Sequence, residues 1–371
     1  MTRRFLSRAH RWLGVCLGGP FALIGLTGSL LIFYVEIDRA VHPALHAPEP
    51  SRATSSPNWD QAVSTLRRTY PDKQGPWRLE VTPDQRFIPA RYYDPPERAG
   101  QAFAPMLVWL SADGTHVLRH DYWGDTAMTW LYDLHYRLML GEAGAILIGL
   151  EGLALIFALL IGMVLWWPRG SWAKALRYKS QAAPSRRLRD QHKLLGLASI
   201  VPLLLLAGTG AMLALPGPTA GLFSTLGLVT TVPARPVSAG WSGRQISVQH
   251  AVAIGQQHWP EARLAWIEVP GPGNAAFALR VQLPGDPSRR FPHSYIWIDQ
   301  YRGTILGTQD LRNSGGGARI LAWLHPLHDG SAGGMWLRCF FVLAGVMPLA
   351  LWWTGRGRAQ LRTRARNGSH R

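Results

Sequence analysis

Thirteen histidines are spread over 371 residues, and their placement repeats. His10-Arg-Trp-Leu-Gly14 and His192-Lys-Leu-Leu-Gly196 share a His-x-x-x-Gly spacing, each at the entrance to a long apolar run. Leu134-His135 lies nine residues before Gly144, and Leu324-His325 lies nine before Gly334, again ahead of apolar runs. His328 follows His325 by one helical turn, with Pro326 marking a helix start between them. Imidazoles at matched depths on different helices suit a haem, whose iron takes an axial ligand from each face while the macrocycle fills the apolar gap. Neutral imidazole brings no charge into such a setting, where an isolated Lys or Arg is costly. Small residues must stand where a flat ring meets the backbone; Gly14, Gly18, Gly19, Gly25, Gly141, Gly144, Gly196 and Gly334 supply them. Haem propionates favour cations near the interface, which points to Arg11 and Lys193 at one edge and to Arg137 and Arg338 at the other. A soft metal such as copper or zinc is the competing occupant. It asks for carboxylates or thiolates close by, and the two cysteines, Cys16 and Cys339, sit inside apolar runs, where they read as small buried hydrophobes.

The elements that must position these residues are four apolar stretches: Trp12 to Val35, Ala143 to Trp167, Leu194 to Leu215 and Met335 to Trp353. Each approaches or exceeds the ~20 residues that cross a hydrocarbon core. Only 16% of the chain is charged, yet 39 Lys and Arg stand against 22 Asp and Glu, a net charge of +17. Residues 1–11, 168–193 and 355–371 hold 18 basic residues and one acid, so the whole excess lies in these three flanks. Such an excess marks the cytoplasmic side of membrane helices. It places both termini and the 168–193 loop in the cytoplasm and makes lipid, not nucleic acid, the partner of the charge. The first apolar run is long and lacks a small-residue cleavage pattern after Val35, so it reads as a retained anchor.

The division that follows is residues 1–37 as tail and first transmembrane helix, 38–130 as a periplasmic α+β domain and 131–168 as the second helix. A basic loop spans 169–191 and the third helix 192–215. A second periplasmic α+β domain covers 216–324, the fourth helix 325–355 and a basic tail 356–371. The two domains repeat one order. Trp59 to Thr69 is predicted as helix, followed by strands at Trp77 to Val81, Phe87 to Tyr93 and Met106 to Leu110, with a hairpin turn at Asp113-Gly114. In the second, Ile246 to His258 precedes strands at Leu264 to Val269, Ala276 to Leu283 and Tyr295 to Ile298, with Gly303 in the following turn. The fold class is therefore a membrane α-helical protein with four transmembrane helices and two periplasmic α+β domains, internally duplicated.

Two further polar features lie in the apolar runs. Glu151 is about eight residues into the second, ~12 Å deep at helical rise, where an acid is paired, protonated or part of a proton or substrate path. Arg338 is its expected partner. Trp166-Trp167 and Trp352-Trp353 read as interfacial anchors.

Several segments carry a family resemblance: His10-Arg-Trp-Leu-Gly14, Gly25-Leu-Thr-Gly-Ser-Leu-Leu31, Leu140-Gly-Glu-Ala-Gly144, Leu165-Trp-Trp-Pro-Arg169, Arg189-Asp-Gln-His192 and Pro326-Leu-His328-Asp-Gly330. Together they are similar to the PepSY-associated transmembrane proteins over almost the whole chain. Some members are di-haem ferrisiderophore reductases of the bacterial inner membrane. The resemblance implies PepSY-like outer domains, two b-type haems held by His10, His192, His135 and His328, and a ferric siderophore as substrate. Its outer motif reads Pro-Leu-His-Thr-Gly, here with Asp329 for Thr, and favours His328, whereas the internal repeat favours His325. No dinucleotide fingerprint is present, so the expected electron donor is a quinol or a cytoplasmic reductase. Two readings compete: a transporter for iron, siderophore or peptide, supported by Glu151 and the duplication, and a PepSY-type binding or regulatory protein without redox activity.

Overall fold

The computed structural model describes residues 2–45, 57–101, 103–228, 234–239 and 243–368. In chain order, α1 is Arg3–Cys16, α2 Gly18–Leu31, α3 Tyr34–Val41 and α4 Trp59–Thr69. Strands β1 Trp77–Glu80, β2 Phe87–Tyr92, β3 Met106–Ser111 and β4 Val117–Tyr122 follow. Next come α5 Ala127–Arg137, α6 Gly141–Trp166, α7 Trp172–Leu176, α8 Pro184–Ala214, α9 Pro216–Thr225 and α10 Val248–His258. Strands β5 Arg263–Val269, β6 Phe277–Gln282, β7 Ser294–Ile298 and β8 Ile305–Gln309 precede α11 Gly316–His328 and α12 Gly334–Gly368. These elements form two compact units.

The first unit comprises residues 1–34, 131–219 and 324–371 and is helical. Within it α6, α8 and the 331–361 stretch are each long and apolar enough to cross a membrane, and α1 with α2 make a fourth candidate, bent by 56°. The bend corrects the expectation of one straight first helix. Pro20 has no amide hydrogen and its ring crowds the carbonyl four residues back, which belongs to Cys16, the last residue of α1. Helix α8 also begins at Pro184, ten residues before the apolar run, so the basic stretch continues the helix. Small residues let the helices approach. A Cβ on Gly25 would fall 2.3 Å from the Gly345 carbonyl oxygen, and Ser29 Oγ of α2 donates to the Val342 carbonyl of α12 at 3.0 Å. Large apolar side chains such as Val201, Leu343 and Trp336 are exposed, as a lipid-facing surface requires. Cys16 and Cys339 are exposed too, and so are not the buried groups expected. Such a unit makes the chain a multi-pass membrane protein.

The second unit, residues 35–130 and 220–323, holds one antiparallel sheet of eight strands in the order β4-β3-β2-β1-β5-β6-β7-β8. The two α+β repeats are therefore not separate bodies: β1 and β5, the first strand of each, pair with Trp77 opposite Val269 and Leu79 opposite Ile267. Edge strands expose unpaired amides and carbonyls, and this pairing closes the inner edge of both meanders. Each repeat also has a fourth strand, β4 or β8. The sequences Val-Leu-Arg-His-Asp-Tyr and Ile-Leu-Gly-Thr-Gln lack apolar alternation, so pattern reading passed over them. The hairpin before β4 turns at Asp113-Gly114, with Gly114 at φ +75°.

Helices α4 and α10 cover one face over a core that includes Trp77, Leu79, Ile267, Phe277 and Ile296. Asp60 of α4 accepts from the Val248 and Gln249 amides at the start of α10, at 2.6 and 3.2 Å, so one repeat caps the helix of the other. At the rim, Tyr122 donates to Glu97 and Lys73 lies 2.9 Å away, which holds the Glu97 carboxyl at about 2. That depression stabilises the fold above the ordinary glutamate value and is lost as pH falls toward 2.

Because one sheet carries both repeats, Leu79→Ala should lower a single unfolding transition seen by probes in either repeat, at a cost of about 2–5 kcal/mol. Urea unfolding of the detergent-solubilised chain checks it; two separated transitions would speak for independent domains. Glu97→Gln should flatten the loss of stability between pH 4.5 and 2, read from melting temperature against pH.

Candidate functional site

The helical first unit brings the sequence-predicted histidines together in two pairs. His10 of α1 faces His192 of α8 with ring centroids 6.1 Å apart and planes at 81°. His135 of α5 faces His328 of α11 with centroids 6.3 Å apart and planes at 43°. His328, not His325, is the partner of His135: His325 turns its Nδ1 to Asp329 Oδ2 at 3.2 Å.

Each of the four rings is held the same way. His10 Nδ1 lies 3.0 Å from the Ala158 carbonyl oxygen of α6, and His192 Nδ1 lies 3.1 Å from that of Leu351 in α12. His135 Nδ1 lies 3.1 Å from the Ile24 carbonyl oxygen and 3.0 Å from Thr27 Oγ1, both in α2. His328 Nδ1 lies 3.0 Å from Thr209 Oγ1 in α8. Thr27 and Thr209 already donate their own hydroxyl hydrogens, to Leu23 at 2.9 Å and Leu205 at 2.7 Å, so each threonine oxygen accepts. A carbonyl can only accept. The ring proton is thereby assigned to Nδ1 in all four, and Nε2 keeps its lone pair.

The supporting positions form a pattern along the helix: a carbonyl at i, a threonine at i+3 and a glycine at i+4. Ile24, Thr27 and Gly28 follow it, as do Leu351, Thr354 and Gly355; Thr354 Oγ1 lies 3.0 Å from His192 Nδ1. Thr209-Gly210 repeats the dipeptide, and Ala158 with Gly162 keeps the pattern except for Ile161 at the threonine position. The glycines make room for the rings. A Cβ on Gly28 or Gly210 would stand 2.8 or 2.9 Å from the Cε1 of His135 or His328, and one on Gly162 3.1 Å from that of His10. Thr27 and Thr209 each stand 17 residues after a histidine of the other pair, His10 and His192. Along α8 that is about 25 Å at helical rise, so the pairs lie toward opposite ends of the unit.

Several expected residues stand elsewhere. Gly14 and Gly334 face open space, Gly196 meets only Leu351, Gly18 packs on Trp352, Gly25 on Gly345 and Gly144 on the Arg137 carbonyl. The ring-facing glycines were missed because His-x-x-x-Gly was read along one helix, whereas each ring is received by a neighbouring one. The visible signal was the Thr-Gly dipeptide, present twice within apolar runs, at Thr27 and Thr209, and once directly after one, at Thr354. Of the four expected propionate partners, Arg11 is exposed, Lys193 lies 3.4 Å from Asp190, Arg137 lies 3.9 Å from Asp133, and Arg338 stacks on Phe33 while donating to the Ile32 carbonyl. Arg338 is therefore engaged with Ile32 and Phe33, just past α2, instead of the expected Glu151, whose Oε1 is buried with no hydrogen-bond partner among the described residues. The paired tryptophans split: Trp167 and Trp353 are exposed, while Trp166 and Trp352 keep buried, unpartnered Nε1 donors among the described residues. Outside this unit His42 and His293 pair with Asp38 and Asp286; His46 lies outside the described residues.

The donor set decides what such a pair can hold. A zinc or copper ion takes three or four protein ligands, and no group of three or more His, Cys, Asp and Glu gathers among the described residues. Two imidazoles on opposite sides match a haem, whose macrocycle fills the four equatorial positions itself. Two metal–nitrogen bonds of about 2 Å and two imidazole radii of about 1.1 Å place axial ring centroids about 6.2 Å apart, beside the observed 6.1 and 6.3 Å. Fixing the second ring nitrogen on a carbonyl or hydroxyl is also how metal-bound histidines are oriented. The residues fit the group.

A family model described as the PepSY-associated TM region matches residues 7–356. No curated protein matches the chain.

Gly28→Val and Gly210→Val should each cost about 1–3 kcal/mol by displacing the ring they face, while Gly14→Ala, in open space, should be neutral. Thr209→Val should cost about 1 kcal/mol for the lost acceptor. Thermal unfolding in detergent checks all four.

Proposed function

From a chain that belongs to the PepSY-associated TM family, and from the geometry of its four imidazoles, we propose a haem-bearing oxidoreductase of the bacterial inner membrane that carries electrons across the bilayer. The observation that carries this reading is the pair of facing imidazole couples, each ring with its proton committed to Nδ1 and its Nε2 without a hydrogen-bond partner among the described residues. His10 with His192, and His135 with His328, would hold two b-type haems. Bound haem supplies reversible one-electron transfer.

The chain's own part is orientation and exclusion of water. The carbonyls of Ala158, Ile24 and Leu351 set three ring directions and Thr209 helps set the fourth, so the sites are pre-formed. Gly28, Gly162, Gly210 and Gly355 bring the receiving helices up to the rings, which keeps the sites apolar. The spacing of about 25 Å along α8 approaches the ~30 Å hydrocarbon thickness, which calls for two redox centres in series. With the basic flanks on the cytoplasmic side, the His10–His192 couple lies at the donor face and the His135–His328 couple at the periplasmic face. A ferric siderophore arriving there gains one electron and becomes a ferrous chelate, which hard oxygen donors hold less firmly. The donor is a quinol or a cytoplasmic reductase.

A transport reading rests on Glu151, whose buried Oε1 in α6 has no hydrogen-bond partner among the described residues; such a group is costly in a membrane helix and often marks an ion path. The redox reading accounts for more of the polar residues, which cluster at two depths toward the helix ends.

Purified protein should show a Soret band that shifts on dithionite reduction, with two haems per chain by pyridine haemochrome assay. His10→Ala or His192→Ala should remove about half of the absorbance and leave a spectrum belonging to the other couple; so should His135→Ala or His328→Ala. His325→Ala should keep both haems. Colourless protein, reconstituted with haemin and still without a reducible band, would leave the transport reading standing.

A further inference from the structure

The two helices that receive the His10 and His192 rings run on past them toward the end of the unit where the basic flanks lie, and each places a donor one turn further. On α6, Ala158 and Gly162 meet His10, and Trp166 stands four residues after Gly162, about 6 Å along the axis. On α12, Leu351, Thr354 and Gly355 meet His192, and Arg358 stands four residues after Thr354. Positions 351, 354, 355 and 358 form one i, i+3, i+4, i+7 stripe, so Arg358 shares the face that supports His192. Helix α1 keeps to α6 as far as Trp166: Arg3, seven residues before His10 and on the same face, donates to the Leu165 carbonyl at 2.8 Å. Trp166 also lies seven residues after Leu159, which packs with Ile200 and Leu203 of the antiparallel α8. Its side of α6 therefore looks toward the stretch of α8 just after His192.

The Trp166 Nε1 is buried and has no acceptor among the described residues, although the ring packs edge-on against Trp172 at 5.4 Å. An indole nitrogen only donates. A buried donor without an acceptor is rare in folded proteins, so the position suits an acceptor brought by a ligand. Arg358 is close enough for its charge to act on both His10 and His192. The cations expected from sequence at this end do not compete with it, since Lys193 is engaged with Asp190 and Arg11 is exposed. Trp352 has a second buried, unpartnered indole donor among the described residues, but it lies off the stripe, against Gly18 at the α1–α2 break.

We infer that Trp166 Nε1 and the Arg358 guanidinium receive the propionate carboxylates of the haem held by His10 and His192. Ionised carboxylates only accept, and a guanidinium takes one in a two-pronged fork. A buried indole offers the second carboxylate a donor without adding charge to an apolar bundle. The helices that orient the two imidazoles thus also carry the carboxylate partners, in place of Arg11 and Lys193. The inference deepens the proposed function and rests on its haem reading.

Iron protoporphyrin dimethyl ester isolates the part played by the carboxylates, because it keeps metal and macrocycle and lacks both charges. The full-length His328→Ala chain, expressed haem-free and held in detergent, leaves the His10–His192 couple to be titrated by absorbance with haemin or with the ester. Haemin should bind tighter than the ester by about tenfold or more. Arg358→Gln and Trp166→Phe should each remove about threefold or more of that preference. Arg358→Lys should restore part of it, because an ammonium keeps the charge and loses the fork. In the His10→Ala chain, where only the other couple is intact, neither substitution should change the preference. A role in packing alone would weaken haemin and ester alike. Equal binding of the two at the His10–His192 couple, or an unchanged preference in either Arg358→Gln or Trp166→Phe, would overturn the assignment and leave the haem reading standing. No reducible band with either porphyrin would sink both.

Discussion

The helical unit is organised around one interaction, the hydrogen bond that commits an imidazole Nδ1 proton to a carbonyl or hydroxyl of a neighbouring helix. A histidine in an apolar bundle has two nitrogens to satisfy, and an unmatched polar atom there is costly. Fixing Nδ1 settles the tautomer and aims Nε2 away from the supporting helix. For two such rings to face each other at 6.1 or 6.3 Å, the helices that receive them must come close. The glycine four residues after the accepting carbonyl is what permits it. The Gly25–Gly345 approach and the bend at Pro20 then place α1 and α2 around the same bundle.

Much of this was readable before any coordinates. His10, His192, His135 and His328 stood out because apolar runs contain few groups able to bind anything, and the repeated spacing made coincidence implausible. The three basic flanks marked where the apolar runs stop, although α1, α8 and α12 each run on through them as helix. The receiving side of each ring was not readable in the same way. A Thr-Gly dipeptide in a transmembrane helix is equally at home in ordinary helix packing, and no spacing along one helix announces which histidine on another it will meet. The choice between His325 and His328 shows the same limit: internal alignment compares positions, whereas facing depends on the turn of α11 and on Asp329, which engages His325.

In the sheet the legible part was the repeated helix and three strands; the pairing of β1 with β5 was hidden. Edge strands advertise nothing in sequence about their partner when both faces of the strand are partly buried, as in Trp-Arg-Leu-Glu. The alternation there encodes two faces with different tasks. Trp77 and Leu79 serve the core beneath α4 and α10, while Arg78 and Glu80 serve the opposite face. Placing Arg78 opposite Arg91 is a local conflict that the carboxylates of Glu268 and Glu80 on the same face offset.

The β1–β5 seam also fixes the order of events during synthesis. Residues 77 to 80 are made almost two hundred residues before their partners at 266 to 269, and between them the chain must thread α6 and α8. Until then the first meander waits with an open edge, a contact of high sequence separation that slows folding and exposes the strand to mispairing. Insertion of the membrane helices is thus upstream of completing the sheet: the second repeat acts as the closing piece for a surface that the first one alone leaves unfinished.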